Sequence, residues 1–108
     1  MEARLFALQR ASAIILAPLV LVHLGVIVYA VRGGLGAAEI LARTQGSAGW
    51  ALYYGLFVLA ASVHAPIGVR TVLAEWTPWR GRSLDAAMLI LAVLLMALGL
   101  RAVWAVVA

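Results

Sequence analysis

Three long apolar runs, at about residues 11–31, 50–69 and 86–107, leave this chain few ways to fold. Each holds roughly 20 residues, which at a helical rise of about 1.5 Å matches a hydrocarbon core of about 30 Å. Inside hydrocarbon every backbone N–H and C=O must be bonded within the protein, and a helix does this within a single segment. The composition agrees: 67% of the 108 residues are hydrophobic and 11% are charged, where a soluble domain carries about 25% charged residues. The expected fold is therefore all-α: one integral membrane domain over 1–108, with three transmembrane helices running up, down and up. The first run is too long for the apolar region of a signal peptide and lacks a convincing small-x-small cleavage site, so it reads as a span.

The connections carry their own signals. Residues 32–49 contain GGLG and TQGSAG, both helix breakers, around AAEILAR, a short amphipathic stretch suited to the membrane surface. The second connection, EWTPWRGRS, is short and punctuated by Pro and Gly, and Ser83 is placed to cap the third span. Trp50, Tyr53 and Tyr54 at one end of the second span, and Trp76 and Trp79 beyond the other, read as interfacial aromatic belts.

The net charge of +4 comes from eight Arg and no Lys. Arg4, Arg10, Arg70, Arg80 and Arg82 fall on one side of the spans, and Arg32, Arg43 and Arg101 on the other. By the positive-inside rule the N-terminus and the second connection are expected in the cytoplasm, with the chain in the cell inner membrane. No contiguous basic patch is interleaved with aromatics, so nucleic acid is not an expected partner. The absence of Cys excludes disulfides, iron–sulfur ligation and thiol chemistry within the chain.

Against this background the two histidines stand out: His23 in LAPLVLVHLGVIVYAV and His64 in LFVLAASVHAPIGV. Ionisable side chains inside a span are costly and mark function by default. Neutral imidazole is a common axial ligand of haem iron; the plainer role is an N–H bonded to a neighbouring helix. With Arg10 and Arg70 taken as level markers, His23 lies about 20 Å up the first helix and His64 about 9 Å up the second, an offset of about 10 Å. One iron needs its axial nitrogens roughly 4 Å apart. The two histidines are thus expected to pair with histidines of another subunit, giving two haems at two depths, or one haem and one structural His. Gly25 and Gly68 would let a flat macrocycle approach, or let helices pack closely. Pro18 and Pro66 should bend their helices and free a carbonyl.

Two segments carry a family resemblance. LQRASAIILAPLVLVHLGVI resembles the Q-R-x-[ST]-x-I-I…H stretch of the membrane anchor subunits of succinate dehydrogenase and fumarate reductase. Its spacing from Arg10 through Ser12 and Ile14-Ile15 to His23 is similar to that of the fourth span of five-span, two-haem cytochrome b anchors. VHAPIGVRTVLAEW resembles the H-x-x-x-G motif of the small three-span anchors, with its following acidic–aromatic pair. The segments cover somewhat under half of the chain. The resemblance implies that His64 is a haem b ligand, Gly68 the motif glycine, and Glu75-Trp76 the counterpart of an Asp-Tyr pair at a quinone site. Two-haem anchors carry four histidines on one chain, whereas this one has two, so a second copy or a homologous chain would complete the arrangement. Trp76 stands where the family has a tyrosine, and Phe6 or Ala7 where it has a serine before the arginine, leaving Ser12 as the nearest hydroxyl.

The function so implied is that of a non-catalytic anchor subunit in a succinate:quinone oxidoreductase. It would ligate one or two haems b per assembled anchor through His64 and His23, and take electrons from an iron–sulfur subunit served by a flavoprotein subunit. Quinone, as substrate, would bind where Arg10, Ser12, Arg70, Glu75 and Trp76 meet at the cytoplasmic end of the first two spans. Arg10 suits a haem propionate or a quinone carbonyl, because guanidinium stays charged and donates in a fixed fork; the plainer role for Arg10 and Arg70 is snorkelling to the interface. The chain has no nucleophile–base constellation and no phosphate loop, so the chemistry belongs to cofactors and partners. Two alternatives remain: a haem-free structural anchor, and a small transporter, which would need a charged residue inside a span.

Overall fold

The computed structural model describes residues 2–108, and these form four helices: α1 (Glu2–Gly33), α2 (Ala37–Thr44), α3 (Ala48–Trp76) and α4 (Arg82–Val107). Helices α1, α3 and α4 are long and apolar enough to cross a membrane, so the three-span, all-helical expectation holds. All three outrun their apolar runs, at 32, 29 and 26 residues. The long axis of 48 Å matches a whole bilayer with its headgroups, about 40–45 Å, rather than the hydrocarbon alone. Nothing breaks α3 within RTVLAEW. It stops where Pro78 forces the residue before it out of helical geometry, and Thr77 is accordingly extended (φ −132°, ψ 162°).

Both α1 and α3 run unbroken through Pro18 and Pro66. The short α2 forms where AAEILAR was read as amphipathic. Its first turn is held by the Glu39 carboxylate, which accepts from the Gly36 N–H at 2.7 Å. The segment after it closes the end of α4: Thr44 Oγ1 donates to the Val106 carbonyl (2.6 Å), and the Gly46 N–H to the Val107 carbonyl (2.8 Å). Those carbonyls have no partner inside α4, so an external donor removes an unmet demand at the membrane boundary. At the other end the expectation for Ser83 is corrected. Helix α4 is capped by Gly81, whose φ of 85° turns the chain into the helix before Ser83 is reached. The Ser83 hydroxyl instead accepts from Trp79 Nε1 at 2.7 Å.

Helix α3 is the centre of the molecule, with α1 packed on one side and α4 on the other. The α3–α4 contact is close because Gly99 has no side chain: a Cβ there would lie 2.5 Å from Val58 Cγ1. Leu84 is fully buried at the start of α4. By contrast α1 buries only a narrow seam. Its half-buried and buried positions over the span are Leu5, Gln9, Ser12, Leu16, Leu19, His23, Val26 and Ala30. The spacing alternates four and three, the pattern of a helix packing along a single stripe. The rest of α1, including Ile14, Leu21 and Val28, faces outward as a lipid-facing surface would.

Candidate functional site

Along the shared seam of α1 and α3, several polar and aromatic side chains meet in one antiparallel register, while Ser62 of α3 is buried beside Ala92 and Met96 of α4. Gln9 faces Gly68, where a Cβ would lie 3.4 Å from Gln9 Nε2. Ser12 Oγ sits 3.2 Å from His64 Nδ1. The Tyr53 hydroxyl donates to the Leu19 carbonyl at 2.5 Å. The His23 ring packs edge-on against Phe57 (5.3 Å between centroids) and Tyr54 (6.1 Å).

The Ser12 hydroxyl has two acceptors within reach, the Gln9 carbonyl and His64 Nδ1, and the tautomer of His64 depends on which one it serves. Ser12 has one hydroxyl hydrogen, and its Oγ donates to the Gln9 carbonyl at 3.0 Å. In that arrangement Ser12 Oγ accepts from His64, so Nδ1 carries the proton and Nε2 keeps a lone pair. Ser12 is only 5% exposed, so no solvent competes for that bond. A histidine whose Nδ1–H is fixed by a neighbour, with Nε2 open, is the arrangement that ligating histidines adopt. His23 differs. Its Nδ1 is buried with no hydrogen-bond partner, an unmet demand costing about 1–3 kcal/mol, and aromatic carbons surround it.

The offset between the histidines is larger than expected. His64 is level with Ser12, and His23 lies eleven residues further along α1, about 16 Å of rise, against about 10 Å expected. The reason is that Arg10 and Arg70 are not level. With Gln9 opposite Gly68, Arg70 lies about one turn further out than Arg10. The two histidines of one chain thus lie further apart than the sequence suggests, against roughly 4 Å between nitrogens that share an iron. Among the described residues no group of three or more His, Cys, Asp or Glu gathers around a metal position. One imidazole at each depth is a donor set suited to a metal that brings its own equatorial ligands, as haem iron does.

The remaining sequence candidates separate. Arg10 lies over the Phe6 ring, 5.7 Å from its centroid. Arg70 Nε pairs with Asp85 Oδ1 at 2.8 Å, tying α3 to the first turn of α4. Gln9, Gly68, Arg70 and Thr71 line a cleft of about 480 Å³ between α1 and α3, where Gln9 Oε1 is buried and unpartnered. Glu75 and Trp76 are in the last turn of α3, eleven and twelve residues beyond His64, and Trp76 is 83% exposed. Within one chain, then, Ser12 meets His64, and Gln9, Gly68 and Arg70 share a cleft, while Trp76 does not reach Ser12. From sequence Gln9 falls at the same boundary as Arg10 without a role of its own, and Asp85 is not among the candidate site residues. Gln9 is three residues before Ser12 on the same face, and Asp85 is the sole acidic residue in the first turn of α4; both signals were present.

The family model for the succinate dehydrogenase/fumarate reductase transmembrane subunit matches residues 1–104. No curated protein and no solved structure matches the chain. A match over nearly the whole length, on three membrane-crossing helices, decides the matter: the chain is a multi-pass membrane protein and belongs to the transmembrane subunits of succinate dehydrogenase and fumarate reductase.

Proposed function

We propose that this subunit binds haem b through His64 Nε2 and passes electrons between an iron–sulfur subunit and membrane quinone. The observation that supports this reading is the Ser12–His64 contact, which suits the tautomer with a proton on Nδ1 and a free lone pair on Nε2. Haem would supply one-electron storage there. The chain's own part is to hold the ring: the hydroxyl at Ser12 would set the tautomer, and Gly68, one turn beyond His64, lets Gln9 of α1 approach α3 there. His23, about 16 Å deeper, would serve a second haem. Another copy of this chain, or a homologous anchor subunit, would supply the partner histidine for each haem.

At the Arg10 end the same reading places the quinone pocket. Arg10 donates to a propionate or quinone oxygen, Arg70 is held in place by Asp85, and Gln9 offers a vacant acceptor in the adjoining cleft. Glu75 and Trp76 lie at the membrane boundary, where a proton on reduced quinone would exchange with water. With five arginines at that end, the positive-inside rule puts it in the cytoplasm, with the chain in the cell inner membrane. The iron–sulfur and flavoprotein subunits would dock on that face. Substitution His64→Ala in the purified complex should abolish a low-spin bis-histidine spectrum. An unchanged spectrum would overturn the ligand, and a wild-type complex with no Soret band would make this a haem-free anchor.

A further inference from the structure

At the end of the molecule opposite Arg10, helices α1, α2 and α3 border a groove of about 580 Å³, within the range of about 300–1,000 Å³ typical of small-ligand sites. Val22, Gly25 and Tyr29 of α1 form one wall, Trp50 and Tyr54 of α3 the other, and Arg43 of α2 contributes its one charge. The groove runs inward from the membrane boundary. Arg43 Nη2 donates to the carbonyl of Gly34 at 3.2 Å, and Gly25 lies nine residues before Gly34, about 13 Å deeper along α1. Beside Gly25 there is open space, since a Cβ built there would meet nothing within 4 Å.

Arg43 is held but not neutralised. Its guanidinium sits 5.3 Å from the centre of the Tyr29 ring and spends one donor on Gly34. The nearest carboxylate in sequence, Glu39, is committed to the Gly36 N–H. Among the described residues no carboxylate pairs with Arg43. The result is a fixed cation at the headgroup level, flanked by amphipathic rings and followed inward by an apolar trough. Guanidinium in such a pose presents a planar fork that matches phosphate oxygens, and basic pockets beside membrane helices favour anionic headgroups. We propose that this groove binds an anionic phospholipid, with the phosphate on Arg43 and an acyl chain along Gly25 between Tyr29 and Tyr54. The proposal requires only the membrane-spanning fold, and it gives the space beside Gly25, two residues from His23, to an acyl chain rather than to a macrocycle.

The test uses the full chain purified in detergent within its complex and exposed to phosphatidylglycerol or phosphatidylcholine, with retained lipid counted by native mass spectrometry. Phosphatidylglycerol should be retained preferentially, and Arg43→Gln should weaken its retention about five-fold, the worth of one arginine near a membrane surface. Arg32→Gln and Arg101→Gln, which remove charge from the same end of the molecule, should leave retention unchanged. Gly25→Leu should weaken retention by filling the trough, with helix content preserved because its side chain enters open space. Retention equal to wild type in both Arg43→Gln and Gly25→Leu would overturn the proposal. So would equal losses in all three arginine variants, which would mean diffuse surface charge. Displacement of the lipid by inorganic phosphate alone would reduce the site to an anion site without a chain. Retention confined to haem-depleted complex would give the groove to haem instead.

Discussion

Ser12→Ala removes the acceptor that holds the His64 ring. In the folded protein Ser12 Oγ lies 3.2 Å from His64 Nδ1 and is nearly inaccessible, so no water replaces it. The Nδ1–H is left unbonded between α1 and α3, at a cost of about 1–3 kcal/mol. The ring recovers part of that cost by moving its proton to Nε2, which removes the lone pair that would face iron. Loss of such a partner typically weakens metal binding about 10–100-fold, or about 1.4–2.8 kcal/mol, which agrees with the hydrogen-bond figure. The assay is haem retention on dilution of the purified complex, with the midpoint potential measured beside it. Ser12→Thr keeps the hydroxyl and should restore wild-type retention, which separates loss of the bond from loss of packing. Wild-type affinity and potential in Ser12→Ala would refute the tautomer argument, and equal loss in Ser12→Thr would make the serine a packing residue.

Three further substitutions probe the remaining contacts. Gly99→Ala brings a Cβ to within 2.5 Å of Val58 Cγ1, so α3 and α4 must part. About 1–3 kcal/mol of destabilisation is expected, read as a lower melting temperature in detergent and relieved by Val58→Ala in the same chain. The Arg70–Asp85 pair, with side chains 18% and 38% exposed, should show a coupling of about 0.5–1 kcal/mol in a double-mutant cycle with Arg70→Leu and Asp85→Asn; zero coupling would mean it holds nothing. Arg10→Leu should impair succinate:quinone turnover while reduction of a soluble dye by the partner subunits continues. Equal loss of both activities would mean failed assembly.

Much of the architecture was legible because hydrocarbon imposes it: three apolar runs of the right length became three helices, and AAEILAR became α2. The ends were less so. An apolar run marks only the part of a helix inside hydrocarbon, whereas α3 continues through Arg70 and Glu75 until Pro78 stops it. Ser83 lost its capping role to a backbone turn at Gly81 that composition does not encode. Nearness to Arg10 in the sequence groups Ser12 with the quinone residues. Helical periodicity also puts it on the stripe of Gln9, Leu16 and His23, facing α3. Sequence alone puts Arg10 and Arg70 at one level, and only the seam register shows that Arg70 lies further out. His23 and His64 were identifiable as unusual from sequence, but their differing surroundings, one bonded and one orphaned, depend on which α3 residues lie opposite.

The central claim is that the two histidines act at separate depths, with His64 set up as a ligand by Ser12. Haem per chain, measured by pyridine haemochrome with the optical spectrum in wild type, His23→Ala and His64→Ala, tests it most directly. His23→Ala should keep the low-spin spectrum of the haem on His64 and lose at most the haem at the deeper site, while His64→Ala should lose the shallower one. If His23→Ala alone removed all haem from a complex that still assembled, or His64→Ala removed none, the two-depth account would be contradicted.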